Sequence, residues 1–430
     1  MRRIAAILCS AAILVSYPGI AALGQEPEIA IPVGAEVSGS SLYGQDEGWT
    51  GGDVQAAEAP ADQNQTAVQI AAPSAILMEA STGQVIYEKG ADEKRSPASV
   101  TKVMTLILIF DALQSGKIQL TDEVVTSAHA KSMGGSQVFL EEGEKQTVET
   151  LIKCIVIASG NDASVVMAEY IGGTEEEFVR MMNERAAGLG MANTHFVDCC
   201  GLTESPDHLT TARDIAIMSR ELINKYPQIH NYSTIWMENI THVTKQGTKE
   251  FGLSNTNKLL KMATNFKVTG LKTGSTSIAK YCLSATAERD GMELIAVVMH
   301  APTSNDRFDS AKALLNYGFA NYAITPVYPD QAIPPVPVLL GTKDTVQPVT
   351  QRECSILLEK GKTGSVTTQM ELADSVEAPV EQGQKLGVLK VLVDGEQVDA
   401  IDLVAADEVP RLGFGGILRR FLNALFMQGA

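Results

Sequence analysis

Three short stretches lie far apart in this chain and have to converge if they are to mean anything: Ser99-Val100-Thr101-Lys102, Ser159-Gly160-Asn161 and Lys272-Thr273-Gly274. A serine hydroxyl is a weak nucleophile at neutral pH and needs a base within hydrogen-bond reach. A lysine three residues further along a helix lies on the same face. An ordinary lysine, with a pKa of about 10.4, is neutral in only about one molecule in 2,500 at pH 7. Burial and a second cation nearby would both lower that value, and Lys272 is the natural supplier of the second charge. Taken singly the patterns are weak: Ser277-Ile278-Ala279-Lys280 repeats the first spacing and Lys362-Thr363-Gly364 the third. Only the ordered set is unique, because Ser159 heads the one S-x-N in the chain.

That ordered set, with its surroundings Pro97-Ala98-Ser99-Val100-Thr101-Lys102-Val103-Met104-Thr105 and Ser159-Gly160-Asn161-Asp162-Ala163, resembles the penicillin-binding protein and serine β-lactamase superfamily. Within it the chain looks most like the low-molecular-mass penicillin-binding proteins, the serine D-alanyl-D-alanine carboxypeptidases, over roughly residues 68 to 405. The resemblance implies an acyl-enzyme on Ser99, with Lys102 as base. Ser159 would relay a proton to the leaving amine, and Asn161 would hold the lysine or a substrate carbonyl. Lys272-Thr273-Gly274-Ser275 fits a strand along which a peptide can add, and Gly274 removes a side chain that would block close approach. By resemblance the backbone N–H groups of Ser99 and Ser275 form the oxyanion hole. Arg307, in the loop after the last strand, aligns with the arginine that receives the substrate carboxylate, which a guanidinium can clasp with two parallel hydrogen bonds. The expected partners are peptidoglycan stem peptides ending in D-Ala-D-Ala, with β-lactams as covalent inhibitors and no cofactor.

Two absences narrow the chemistry. No H-E-x-x-H occurs among the six histidines, which disfavours a zinc peptidase. Nor is there the E-x-x-L-N by which class A β-lactamases resemble one another, so a β-lactam should inhibit the chain instead of being destroyed by it. The rivals are a transpeptidase or endopeptidase using the same site, a β-lactamase, and a non-catalytic wall-binding protein.

The ends of the chain carry a second message. Met1-Arg2-Arg3, the apolar run Ile4 to Val15 and small residues near Gly24 read as a secretory signal peptide over residues 1–24, with an uncleaved anchor as the alternative. Its removal takes the net charge from −17 to −19, since it holds two arginines and no acid. Nucleic acid is therefore an unsuitable partner. Residues 25–66 hold eight acids and no Lys or Arg, the composition of a solvated linker. Near the other end, Phe414, Ile417, Leu418, Phe421, Leu422, Leu425 and Phe426 recur at helical spacing beside Arg411, Arg419 and Arg420. Such a helix, in residues 409–430, is too short to span a bilayer and suits the surface of a membrane. Docking on its own β domain or on a second subunit is the alternative.

Between these ends the pattern predicts an α+β fold. A hairpin is expected at Ser74 to Ala80 and Gln84 to Tyr87, followed by a helix opened by Pro97 and apolar nearly all round from Val103 to Leu113. Further helices are expected over Val148 to Ile157, Ala163 to Tyr170, Glu175 to Leu189 and Thr211 to Asn224. Strands should follow at Phe266 to Thr276, Tyr281 to Ala287 and Met292 to His300, then a helix from Asp309 to Tyr322. Together they predict one antiparallel sheet flanked by helices, over residues 67–325. Five prolines from Pro326 to Pro337 mark a boundary, and short strand runs then predict a small all-β domain over residues 326–408, with Lys362-Thr363-Gly364 at a hairpin tip. Cys154, Cys199, Cys200, Cys282 and Cys354 match neither a zinc site nor a disulfide framework. They read as small core residues, with one bridge or oxidation of the Cys199-Cys200 pair left open.

Overall fold

The computed structural model describes residues 68–352, 355–361 and 366–427. The residues read as a signal peptide, the acidic segment to residue 66, Cys354 and the expected hairpin tip Lys362-Thr363-Gly364 lie outside them, as do the side chains of Leu425 and Phe426.

The expected first hairpin is present as β1 (Ser74–Glu79) and β2 (Val85–Lys89). Glu79 shapes its turn by accepting the backbone N–H groups of Ser81 and Thr82 at 3.0 and 2.6 Å. Three strands from late in the chain complete the sheet: β3 (Lys267–Thr276), β4 (Lys280–Arg289) and β5 (Met292–Ala301). All neighbours are antiparallel and the order is β2-β1-β5-β4-β3, which leaves β3 at an edge. Inner strands read as continuous apolar runs because both faces are covered. In β5, Ile295, Val297 and Met299 join one core cluster, while Leu294, Ala296 and Val298 join the other.

The first cluster is closed by α1 (Lys102–Gln114), α2 (Val148–Ile157), α3 (Asn161–Gly172), α4 (Glu175–Gly188) and α5 (Ala212–Lys225). Every residue of α1 from Lys102 to Phe110 is buried, as an all-round apolar helix requires. Threonine caps recur: the side chains of Thr147, Thr174 and Thr211 each accept an N–H three residues on, opening α2, α4 and α5. The second cluster is covered by α6 (Ser304–Asn321). This helix starts five residues before the apolar pattern suggested, because Thr303 and Asp306 form a reciprocal capping box. Arg307 consequently sits in the first turn of α6 and not in the loop where the sequence placed it. A long hairpin, Met237–Thr244 paired with Gly247–Ser254, was also unforeseen. Its strands bury little beyond Ile240, His242 and Leu253, so they lack the apolar alternation that reveals a strand.

After α6, Tyr322–Pro326 pairs antiparallel with Ser355–Glu359. A four-stranded sheet, in the order Pro348–Thr350, Glu396–Ala405, Lys385–Val393, Val366–Leu372, then packs Leu389, Val391, Ile401 and Leu403 into its own core. α7 (Phe414–Met427) follows, with Phe414, Ile417, Leu418, Phe421 and Leu422 exposed. Among the described residues no helix is long and apolar enough to cross a membrane. Cys154, Cys199, Cys200 and Cys282 are buried free thiols, as the core reading expected.

Candidate active site

The three stretches meet where the edge strand β3 faces the start of α1. Ser99 lies in a single 3-10 turn, Ala98–Thr101, that leads directly into α1. Lys102 begins the helix and turns its side chain back, placing Nζ 3.1 Å from Ser99 Oγ. The ammonium nitrogen also donates to Asn161 Oδ1 at 2.6 Å and to the Cys200 carbonyl at 2.8 Å. Lys272 Nζ donates to Ser159 Oγ and to the Thr273 carbonyl, both at 2.9 Å. Two lysines are therefore fully buried, at 0 % and 1 % exposure, with hydroxyls and carbonyls as their partners.

Burial lowers the pKa of Lys102, opposed by its neighbours Cys200, Cys199, Asp198 and Asp162. Burial also pushes Lys272 well below the usual lysine range, and the charges of Lys102 and Arg307 push it further. The sequence reading named burial and a second cation as the two causes that would lower Lys102; burial is the leading cause for both lysines in the fold.

Ser159 holds φ at +61°, a left-handed conformation uncommon for a side-chain-bearing residue, in the break between α2 and α3. Asn161, at the start of α3, is fixed at both ends of its amide: Oδ1 faces Lys102, and Nδ2 donates to the Gly134 carbonyl at 2.7 Å. Thr273 Oγ1 shares a 2.6 Å hydrogen bond with Thr256 Oγ1, and Ser275 is exposed further along β3. Gly274 meets a further constraint. A Cβ there would fall 2.7 Å from the Pro97 carbonyl and 2.9 Å from the backbone N atoms of Ser99 and Val100. Glycine thus permits a close approach between β3 and the Ser99 turn.

Arg307 Nη1 donates to the carbonyls of Gly274 and Cys282 at 3.1 and 3.2 Å, and its guanidinium lies 4.6 Å from the Phe308 ring centre. Burial pulls it down to about 10, so it keeps its charge at neutral pH. Its Nε is buried without a partner among the described residues.

Several supporting groups were missed. Asp162 accepts the N–H groups of Val138 and Leu140, both at 3.1 Å, holding the loop that carries Gly134. Asp198 accepts those of Cys200, Leu202 and Thr203, shaping the loop whose carbonyl meets Lys102. Asp162 adjoins Asn161 and could have been suspected; Thr256 and Asp198 sit in no recognisable pattern. The duplicate Ser277 lies exposed between β3 and β4, not on a helix, and so has no base held behind it.

Comparison with known proteins places the chain among relatives. The sequence profile of the family described as D-alanyl-D-alanine carboxypeptidase matches residues 58–303, and that of penicillin-binding protein 5, C-terminal domain, matches residues 323–411. D-alanyl-D-alanine carboxypeptidase DacF of Bacillus subtilis is 43% identical over 354 residues, covering 82% of this chain and 89% of that protein. DacC of Escherichia coli is 34% identical, over 86% of this chain and 92% of its own length. Among solved structures, penicillin binding protein 5 from Haemophilus influenzae superposes with a TM-score of 0.68 at 31% identity, covering 80% of this chain and 99% of that one.

Proposed function

Because this chain belongs to the D-alanyl-D-alanine carboxypeptidase family, we propose that it removes the terminal D-alanine from peptidoglycan stem pentapeptides through an acyl-enzyme on Ser99. One observation carries the reading: the 3.1 Å approach of Lys102 Nζ to Ser99 Oγ, with two further oxygens around the same nitrogen. A neutral amine has two N–H donors and one lone pair. Asn161 Oδ1 and the Cys200 carbonyl take the two donors, which leaves the lone pair for the serine proton.

Ser99 Oγ then attacks the carbonyl between the two terminal D-alanines as its proton passes to Lys102. Backbone N–H groups of Ser99 and Ser275 hold the oxyanion, a contribution of roughly 3 kcal/mol per donor. The C–N bond breaks as the proton that Lys102 took from Ser99 passes through Ser159, which Lys272 orients, to the leaving amine; D-alanine departs and Lys102 is neutral again. Water, surrendering a proton to Lys102, hydrolyses the ester and returns that proton to Ser99. Arg307 and Thr273 receive the terminal carboxylate, with the unpaired Nε of Arg307 as a spare donor. A β-lactam follows the first half of this sequence and clears slowly.

Mass spectrometry after benzylpenicillin tests the assignment. A stable adduct on Ser99, together with D-alanine release from a pentapeptide, is expected; labelling of Ser277, or no label, overturns it.

The leader is read as directing export, and α7 as lying in the outer face of the cytoplasmic membrane. Five large apolar side chains of α7 are exposed, and its 14 residues reach about 21 Å, short of the roughly 30 Å hydrocarbon core. The domain divisions proposed are 67–325 for the catalytic part, 326–408 for the β-rich part and 409–430 for the helix. Co-sedimentation with anionic vesicles, lost on truncation at residue 408, is the expected outcome; equal sedimentation of both forms refutes the anchor.

A further inference from the structure

Thr101 fills a free position of S-x-x-K and His208 belongs to no motif, yet the two are hydrogen-bonded to each other and to the turn that carries the nucleophile. Ala98, immediately before Ser99, holds φ at +48°, a conformation that L-residues keep only when their surroundings impose it. Its carbonyl accepts the Thr101 hydroxyl at 2.8 Å, and Thr101 Oγ1 lies 2.8 Å from His208 Nε2. His208 Nδ1 accepts the backbone N–H of Val197 at 3.0 Å. Since Nδ1 accepts, the neutral ring carries its proton on Nε2, and the chain runs in one direction: Nε2–H to Thr101, Thr101 O–H to Ala98. Thr101 and His208 are 0 % and 1 % exposed, so water does not substitute for either partner.

The other end of the ring reaches the loop that holds the base. Val197 precedes Asp198, whose carboxylate organises the backbone to Thr203, and Cys200 in that loop supplies the carbonyl bound by Lys102. Gly201 seals the contact: a Cβ there would lie 1.9 Å from the Ala98 carbonyl oxygen. One imidazole thus ties the turn carrying Ser99 to the loop carrying the Lys102 acceptor.

We infer that His208, acting through Thr101, is a positioning residue that sets the separation of Ser99 and Lys102, and that it does so only as the neutral Nε2–H tautomer. The inference rests on the reading of Ser99 as nucleophile. Protonation would turn Nδ1 into a donor facing the Val197 N–H, setting two donors against each other. Burial and the neighbouring His195 disfavour that charge, while Asp198 favours it, and the Phe196 ring packs against the imidazole with the ring centres 5.8 Å apart. The balance holds His208 below the usual histidine range.

The test is the second-order rate of acylation by benzylpenicillin, with D-alanine release measured in parallel, for full-length Thr101→Val, Thr101→Ser and His208→Gln. Displacements of about 1 Å at a reacting pair cost on the order of 100-fold. Thr101→Val, which keeps the shape and loses the hydroxyl, should slow acylation roughly 10- to 100-fold with KM for the pentapeptide little changed. Thr101→Ser should restore most of that rate. Wild-type acylation should also show an acid-side step that His208→Gln lacks. Should His208→Gln fail to fold, the Val and Ser variants decide alone. Wild-type acylation by Thr101→Val, or equal slowing in Val and Ser, overturns the positioning role. If the wild-type chain itself is not labelled on Ser99, it is the underlying catalytic reading that falls.

Discussion

Where α6 covers the sheet, Leu77, Leu283, Leu294 and Val298 pack against Phe308, Leu314 and Phe319, with the guanidinium groups of Arg289 and Arg307 lying over the rings of Phe319 and Phe308. Where α1 and α3 meet the edge strand, Lys102 and Lys272 are equally buried, held by hydroxyls, carbonyls and one amide. Both regions are dense, but they answer different demands. The first gains from the removal of apolar surface and tolerates any neighbour of the right shape. The second carries the cost of two desolvated amines, and that cost lowers the pKa of Lys102 in the direction its proposed role as base requires. A substitution in the first region should therefore change stability alone, whereas one in the second should change rate out of proportion to stability.

The sharpest test of that contrast is Ser99→Ala, which should abolish the benzylpenicillin adduct and lower D-alanine release by at least about 10³-fold, with the melting temperature unchanged. Next in size, Phe319→Ala removes a ring 1 % exposed and 5.3 Å from that of Phe266. It should cost about 3–5 kcal/mol in denaturant unfolding while leaving kcat per folded molecule intact. Gly274→Ala stands between the regions: its clash with the Ser99 turn should cost about 1–3 kcal/mol and also slow acylation, because the nucleophile must shift to admit the methyl group. If acylation is unaffected, β3 and the Ser99 turn are not coupled as described.

A pH titration probes the same boundary more gently. His208 binds its proton more weakly when folded than unfolded, so the unfolded chain carries more protons between the two values and stability rises with pH there. The contribution should be complete above the unfolded value of about 6.5 and lost as pH falls through the lower folded value. His208→Gln should flatten that part of the profile. The smallest effect is expected far from both regions. Arg352 pairs with Asp399 in the C-terminal sheet with 46 % of its side chain exposed, and Arg352→Ala should change stability by less than about 1 kcal/mol.

How far the sequence foretold these features depends on the range of the forces involved. The strands β3, β4 and β5 and the helices α1 to α5 were legible because each buries a periodic or continuous apolar run. The hairpin at residues 237–254 was not, since its exposed, polar strands leave no such trace. Arg307 was found but misplaced, because the Thr303 and Asp306 box that draws it into α6 is a local polar contact outside the apolar pattern.

The residues of the site, their order and their chemical types were set by the sequence alone, since S-x-x-K, S-x-N and K-T-G name the groups that acyl transfer needs. Tertiary structure decided their distances and their protonation. The Cys200 carbonyl that meets Lys102, the Asp198 loop, His208 against Thr101 and Thr256 against Thr273 all come from segments remote in the chain, and only packing brings them to the site. Desolvation depends on everything that surrounds a group, and no spacing within one segment can record it.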